Sequence, residues 1–136
     1  MQRIHADASL KGMPNVFSEK CTKTWDEGQR CLSQGMVNSA TNRLYYAVFQ
    51  SIKGFAIQRG TMTIDSSDNV HRIALQIVGE GGGRGVYFRR RLNELAGLRV
   101  IADYKLEDVD LEKLKALLDD ADNIRKYYIR LAGTQT

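Results

Sequence analysis

Arg99, Asp103 and Tyr104 place a guanidinium, a carboxylate and a phenol within two helical turns of one another, in the stretch Leu98-Arg-Val-Ile-Ala-Asp-Tyr104. The arginine sits among apolar neighbours. A guanidinium keeps its charge in proteins and is costly to desolvate, so on the buried side of a helix it requires a partner or a task. Asp103, four residues on, lies within reach on the same face. Two readings stay open on these residues: a salt-bridged scaffold, or the floor of a site that holds phosphate.

Other residues could extend such a site. Arg91 lies two turns before Arg99, and Arg43 lies three residues before Tyr46, so both are candidate phosphate ligands. Tyr45 and Tyr46 have the spacing of core aromatics, yet one of the pair could face a groove beside Arg43. His71 opens a later helical segment and is an accessory candidate; histidines in such positions are more often satisfied or superficial than catalytic. No serine, histidine and acid stand together as a nucleophilic triad. Glu80-Gly-Gly-Gly-Arg-Gly85 lacks the Gly-Lys-Ser/Thr ending of a phosphate loop and follows no strand, which favours a flexible glycine hinge.

Charge carries a further hint. The chain has a formal net charge of +4, unevenly spread. From Arg84 to Arg99 there are five arginines against one acid, Glu94, whereas Asp103 to Asp122 holds eight acids against three lysines. This split predicts either neutralisation of one helix by its neighbour or an anion-binding surface for RNA or nucleotide phosphate.

The elements that must position these residues are helical. With 136 residues, 43% of them hydrophobic and 26% charged, the chain fits one domain with an ordinary core. Apolar periodicity predicts a first helix from about Ser18 to Gln34 (Phe17, Cys21, Trp25, Leu32), ended by Gly35. A second runs from an N-cap at Ser39 to Gly60 with an apolar face broad enough for the centre of a bundle. A shorter third is capped by Ser66 or Ser67. The glycine hinge leads into a fourth near Val86, and an acidic turn at Glu107 to Asp110 precedes a fifth with Leu111, Leu114, Leu118, Ala121, Ile124, Tyr128 and Leu131 on its buried side. No segment alternates with period two. The expected fold is all-α: an up-and-down antiparallel bundle of four to five helices, with residues 1–15 a flexible N-terminal segment.

Neither a membrane span nor a signal peptide is evident, so a cytoplasmic protein is expected. Cys21 and Cys31 do not share a helix face and fit reduced packing thiols. With only His5 and His71 to join them, no metal site is expected, and no cofactor.

The stretch Ser39-Ala-Thr-Asn-Arg-Leu-Tyr-Tyr-Ala-Val-Phe49, then His71, then Leu98 to Tyr104, resembles the HEPN family of small prokaryotic helical domains. The resemblance extends over most of the chain and rests on two motifs in order, Asn-Arg-x-Tyr-Tyr-Ala and Arg-x-x-Ala-Asp-Tyr. It implies a four-to-five-helix bundle that forms a homodimer through the helices bearing the arginine motif. Many such domains are metal-independent ribonucleases in which an arginine, followed four to six residues later by a histidine, lines a cleft between protomers. Others are toxins paired with a minimal nucleotidyltransferase antitoxin, or accessory modules beside such enzymes. Arg99 matches the arginine, but the histidine has no match: Asp103 and Tyr104 stand in its place. The resemblance thus leaves two functions open. One is a ribonuclease-like toxin in which Arg99 grips phosphate and Asp103 or Tyr104 assists. The other is a non-catalytic module that dimerises and docks a nucleotidyltransferase, with Tyr104 as a modification site.

Overall fold

Gly35 and Gly60 adopt left-handed backbone, with φ of +75° and +84°, and each ends a helix. At Gly35 the Met36 N–H donates to the Cys31 carbonyl at 2.9 Å; at Gly60 the Thr61 N–H donates to the Ala56 carbonyl at 2.9 Å. These bonds satisfy carbonyls that a helix end leaves open, in a conformation only glycine adopts without strain.

The computed structural model describes residues 2–63 and 70–133, with side chains from Phe17 onward. Its elements are α1 (Gln2–Ser33), α2 (Val37–Arg59), α3 (Val70–Gly79), α4 (Gly82–Tyr104) and α5 (Leu111–Gly133). All regular structure among the described residues is helical, as periodicity predicted. Helix α2 is the centre of the bundle and packs against each of the other four. Leu44, Val48, Ile52 and Phe55 of α2 are buried against Cys21 and Trp25 of α1, Leu92 and Leu95 of α4, and Leu114, Ile124 and Tyr128 of α5.

Several boundaries differ from expectation. Helix α1 begins at Gln2 rather than near Ser18. Residues 2–13 include good helix formers such as Ala6, Ala8, Leu10 and Lys11, but they lack an apolar stripe, and Gly12 and Pro14 read as breakers. Helix α2 starts at Val37, with Met36 rather than Ser39 as the N-cap. The left-handed turn at Gly35 presents the Met36 carbonyl to the Ala40 N–H at 2.9 Å, which leaves Ser39 inside the first turn. The caps expected at Ser66 and Ser67 lie outside the described residues.

The glycine hinge is largely helical, because α4 begins at Gly82. A Cβ on Gly85 would stand 2.4 Å from the Val78 carbonyl oxygen, so glycine here lets α4 cross the end of α3 in backbone contact. Leu111, expected on the buried side of α5, is 36% exposed. It stands at the first position of α5, where Asp110 Oδ1 accepts from the Glu112 and Lys113 N–H groups. Leu117 is buried further along the helix.

The charge split is in part an internal pairing. Arg91 Nε donates to Asp120 at 2.7 Å, Nη1 to Glu94 at 3.1 Å, and Nη2 to the Ala116 carbonyl at 2.7 Å. Each nitrogen of its guanidinium is therefore engaged by a group of α4 or α5.

Candidate phosphate-binding site

Arg99 lies one turn from the end of α4, and its side chain is only 13% exposed. Its guanidinium carbon stands 5.3 Å from the ring centroid of Tyr45, 5.7 Å from that of Tyr46 and 5.9 Å from that of Tyr104. Aromatic faces attract cations, and this cage offsets part of the desolvation cost. Burial works against the charge, but Tyr46, the Tyr104 hydroxyl, Tyr45 and Asp103 together hold the guanidinium pKa above its ordinary value.

The carboxylate partner is only loosely held. Arg99 Nη1 reaches Asp103 at 3.4 Å, a long contact for a charge-assisted bond. Both Asp103 oxygens also accept from Asn42 Nδ2, at 3.2 and 3.1 Å. Asn42 Oδ1 in turn accepts from Arg43 Nε and Nη2, at 3.1 and 2.7 Å. Arg43, Asn42, Asp103 and Arg99 thus form one chain along α2 and α4, and a groove of about 430 Å³ opens beside Asn42, Arg43 and Asp103. Arg99 Nε is buried and has no hydrogen-bond partner among the described residues.

Helix α3 brings in an imidazole. The Tyr45 hydroxyl is hydrogen-bonded to His71 Nδ1, and the His71 ring lies 4.9 Å from that of Phe49. Tyr45 is 2% exposed, and burial pushes its phenol up to about 12 against the opposing pull of Arg99. Burial, then Arg99, pushes the His71 pKa down, which keeps the ring neutral at pH 7. The phenol keeps its proton, so its hydroxyl can donate to a bare Nδ1 or accept from an Nδ1–H, and the bond is compatible with either neutral tautomer.

The structure thus gathers Arg99, Asp103, Tyr104, Tyr46 and His71 around one guanidinium, with Arg43 at its edge. Asn42 and Tyr45 complete the arrangement. Neither is a site candidate on spacing alone, although both lie within the Asn-Arg-x-Tyr-Tyr-Ala motif. Among the described residues no three His, Cys, Asp or Glu side chains gather as a metal-ligand set, and no helix is long and apolar enough to cross a membrane.

The HEPN domain profile matches residues 17–131, a span that includes every residue of this site. The chain belongs to the HEPN family. No curated protein and no solved structure matches it. Membership makes this domain a ribonuclease-like or nucleotide-interacting module of general type. In this HEPN chain the motif positions after the arginine hold Asp103 and Tyr104, and an imidazole reaches the same cage from a different helix.

Proposed function

We propose that this protein engages RNA phosphodiesters at Arg99 and is the toxin-like, ribonuclease half of a pair whose antitoxin is a minimal nucleotidyltransferase. The observation that carries the reading is the unpaired, buried Nε of Arg99. An unmet donor on a charged group is costly to leave in place, and a guanidinium edge matches two phosphate oxygens in a bidentate fork. Tyr104, whose ring centroid lies 5.9 Å from the guanidinium carbon, is 74% exposed and so stands on the solvent side of the cage.

Metal-independent cleavage needs a base for the 2′-hydroxyl proton and an acid for the leaving oxygen. As the 2′-oxygen bonds to phosphorus, the bond to the 5′-oxygen breaks. Arg99 stabilises the charge that grows on the phosphoryl oxygens. His71 takes the 2′-hydroxyl proton on Nε2 when its own proton is on Nδ1. Tyr45 permits this, because its hydroxyl accepts from Nδ1–H as readily as it donates to bare Nδ1. Asp103, held by Asn42, fixes the guanidinium, and the Tyr104 hydroxyl gives a proton to the leaving oxygen. The protein works as a cytoplasmic homodimer, with α4 and the exposed Tyr104 and Leu106 at the protomer boundary.

The exposure of Tyr104 also favours a second reading, in which its phenol accepts a nucleotidyl group from the partner enzyme. The test of both is cleavage of total RNA, with chelator present, by the wild-type protein and by the Arg99→Ala, His71→Gln and Tyr104→Phe variants. The first reading predicts cleavage that falls about 100-fold or more in Arg99→Ala. A wild-type protein that cleaves nothing but is nucleotidylated at Tyr104 supports the second. Cleavage at full rate by Arg99→Ala overturns the first.

A further inference from the structure

Helix α4 carries a second arginine group at its opposite end, about 22 Å from Arg99 at the helical rise. Arg84 stands over the Tyr127 ring of α5 at 5.4 Å, and Arg130 over the same ring at 5.6 Å. Arg90 lies over Tyr87 at 5.2 Å. All three arginines are exposed, as is Tyr87 at 41%. Among the described residues no carboxylate lies within ion-pair distance of any of them. The nearby acids are already engaged: Asp120 by Arg91 and the Tyr87 hydroxyl, and Glu80 by Arg59. Arg84, Tyr87 and Phe88 fall on one face of α4 and pack toward α5, with Phe88 6.0 Å from Tyr127.

This arrangement differs from ordinary solvated charge in two respects. Cations at a protein surface are usually interspersed with acids, whereas here Asp120, Glu94 and Glu80 are engaged by Arg91 and Arg59. Cation–π contacts also hold Arg84 and Arg130 over one ring, so two guanidinium groups are presented together with little side-chain freedom left to lose on binding. Guanidinium groups presented side by side suit the phosphates of a single-stranded polynucleotide, and the exposed Tyr87 lies beside them.

We infer that the Arg84–Tyr127–Arg130 cluster, with Arg90 and Tyr87, is a second binding site for the phosphate backbone of single-stranded RNA, separate from Arg99. The inference rests on the RNA reading of the Arg99 site. It adds that the strand is gripped sequence-independently several nucleotides from the phosphate that Arg99 receives. The cluster supplies affinity, and Arg99 supplies the local phosphate contact.

The probe is a fluorescently labelled 15-nucleotide single-stranded RNA made resistant to cleavage by 2′-O-methylation, its binding followed by anisotropy at several salt concentrations. Arg84→Gln/Arg130→Gln should bind about tenfold more weakly near physiological salt. The slope of log K against log salt should become shallower by about 1.4, the loss of two single-strand phosphate contacts. Both residues are exposed, so an unchanged thermal midpoint confirms that folding is intact. Arg99→Gln, which removes one phosphate contact, should make the slope shallower by only about 0.7. Unchanged affinity and slope in the double variant overturn the second site and leave the Arg99 reading standing. Loss of cleavage in Arg99→Gln beside a double variant that binds normally likewise removes the second site alone. Equal weakening toward an acidic peptide, without any toward RNA, assigns the cluster to a protein partner and overturns the inference.

Discussion

Tyr45 and His71 are joined by a hydrogen bond between the phenol oxygen and Nδ1, and this bond ties α3 to α2 beside the Arg99 guanidinium. Through it, the protonation of the imidazole is coupled to a buried phenol and a fixed positive charge. Burial and Arg99 both favour the neutral ring in the folded chain, whereas the unfolded chain has only the ordinary imidazole pKa near 6.5.

The sign of the resulting pH dependence follows. The folded-state pKa is depressed, so below about pH 6.5 the unfolded chain binds more protons than the folded one. The His71 contribution to stability is therefore complete above that pH and is lost as pH falls toward the folded value. NMR titration should show His71 protonating at lower pH than an unstructured histidine. Arg99→Gln should move it upward. Tyr45→Phe, which removes the hydroxyl partner, should cost about 1 kcal/mol in denaturant unfolding at pH 7.5. A His71 titration that ignores Arg99→Gln would separate the two residues.

The approach of α4 to α3 predicts opposite outcomes at two glycines. Gly85→Ala forces a Cβ against the Val78 carbonyl and should destabilise the fold by about 1–3 kcal/mol. Gly83→Ala meets nothing within 4 Å, and should be neutral or stabilising by up to about 1 kcal/mol. Urea unfolding of the two variants decides the matter; equal behaviour would contradict the backbone contact.

The two thiols should react at different rates. Cys21 is fully buried, donates to the Ala47 carbonyl, and has its pKa pushed up to about 11 by burial. Cys31 is only partly buried, and both are free. A chromogenic disulfide reagent at pH 8 should modify Cys31 promptly and Cys21 only as the protein opens. Two equally fast thiols would show that α1 does not pack on α2 as described.

The arginine site was legible in the sequence where its parts are local. Arg99, Asp103 and Tyr104 share one helix, and the four-residue spacing placed the carboxylate against the guanidinium. The same spacing argument could say only that Tyr45 and Tyr46 belong to a core or a groove, and the fold uses them as both, since Tyr45 is buried and each ring faces Arg99. His71 could not be placed, because its position depends on how α3 docks, and that depends on a backbone approach at Gly85 that has no periodic signature. The pairing of Arg91 was hidden for a related reason. Its acceptor Asp120 is 29 residues away, and a pairing across two helices is invisible along one. The apolar stripes were broad enough to survive errors at their ends, as at Ser39 and Val86, so the bundle itself was the more readable part.

The most direct test concerns Arg99 Nε. Its N–H is buried, so its proton should exchange slowly and give an arginine side-chain signal in a nitrogen–proton correlation spectrum, assigned by its absence from Arg99→Lys. On addition of a short 2′-O-methylated RNA, that signal should shift and move downfield as a phosphate oxygen accepts from it. A signal that stays in place while those of Arg84 and Arg130 move would mean that RNA is held elsewhere on the bundle and that Arg99 serves only its own tyrosines and Asp103.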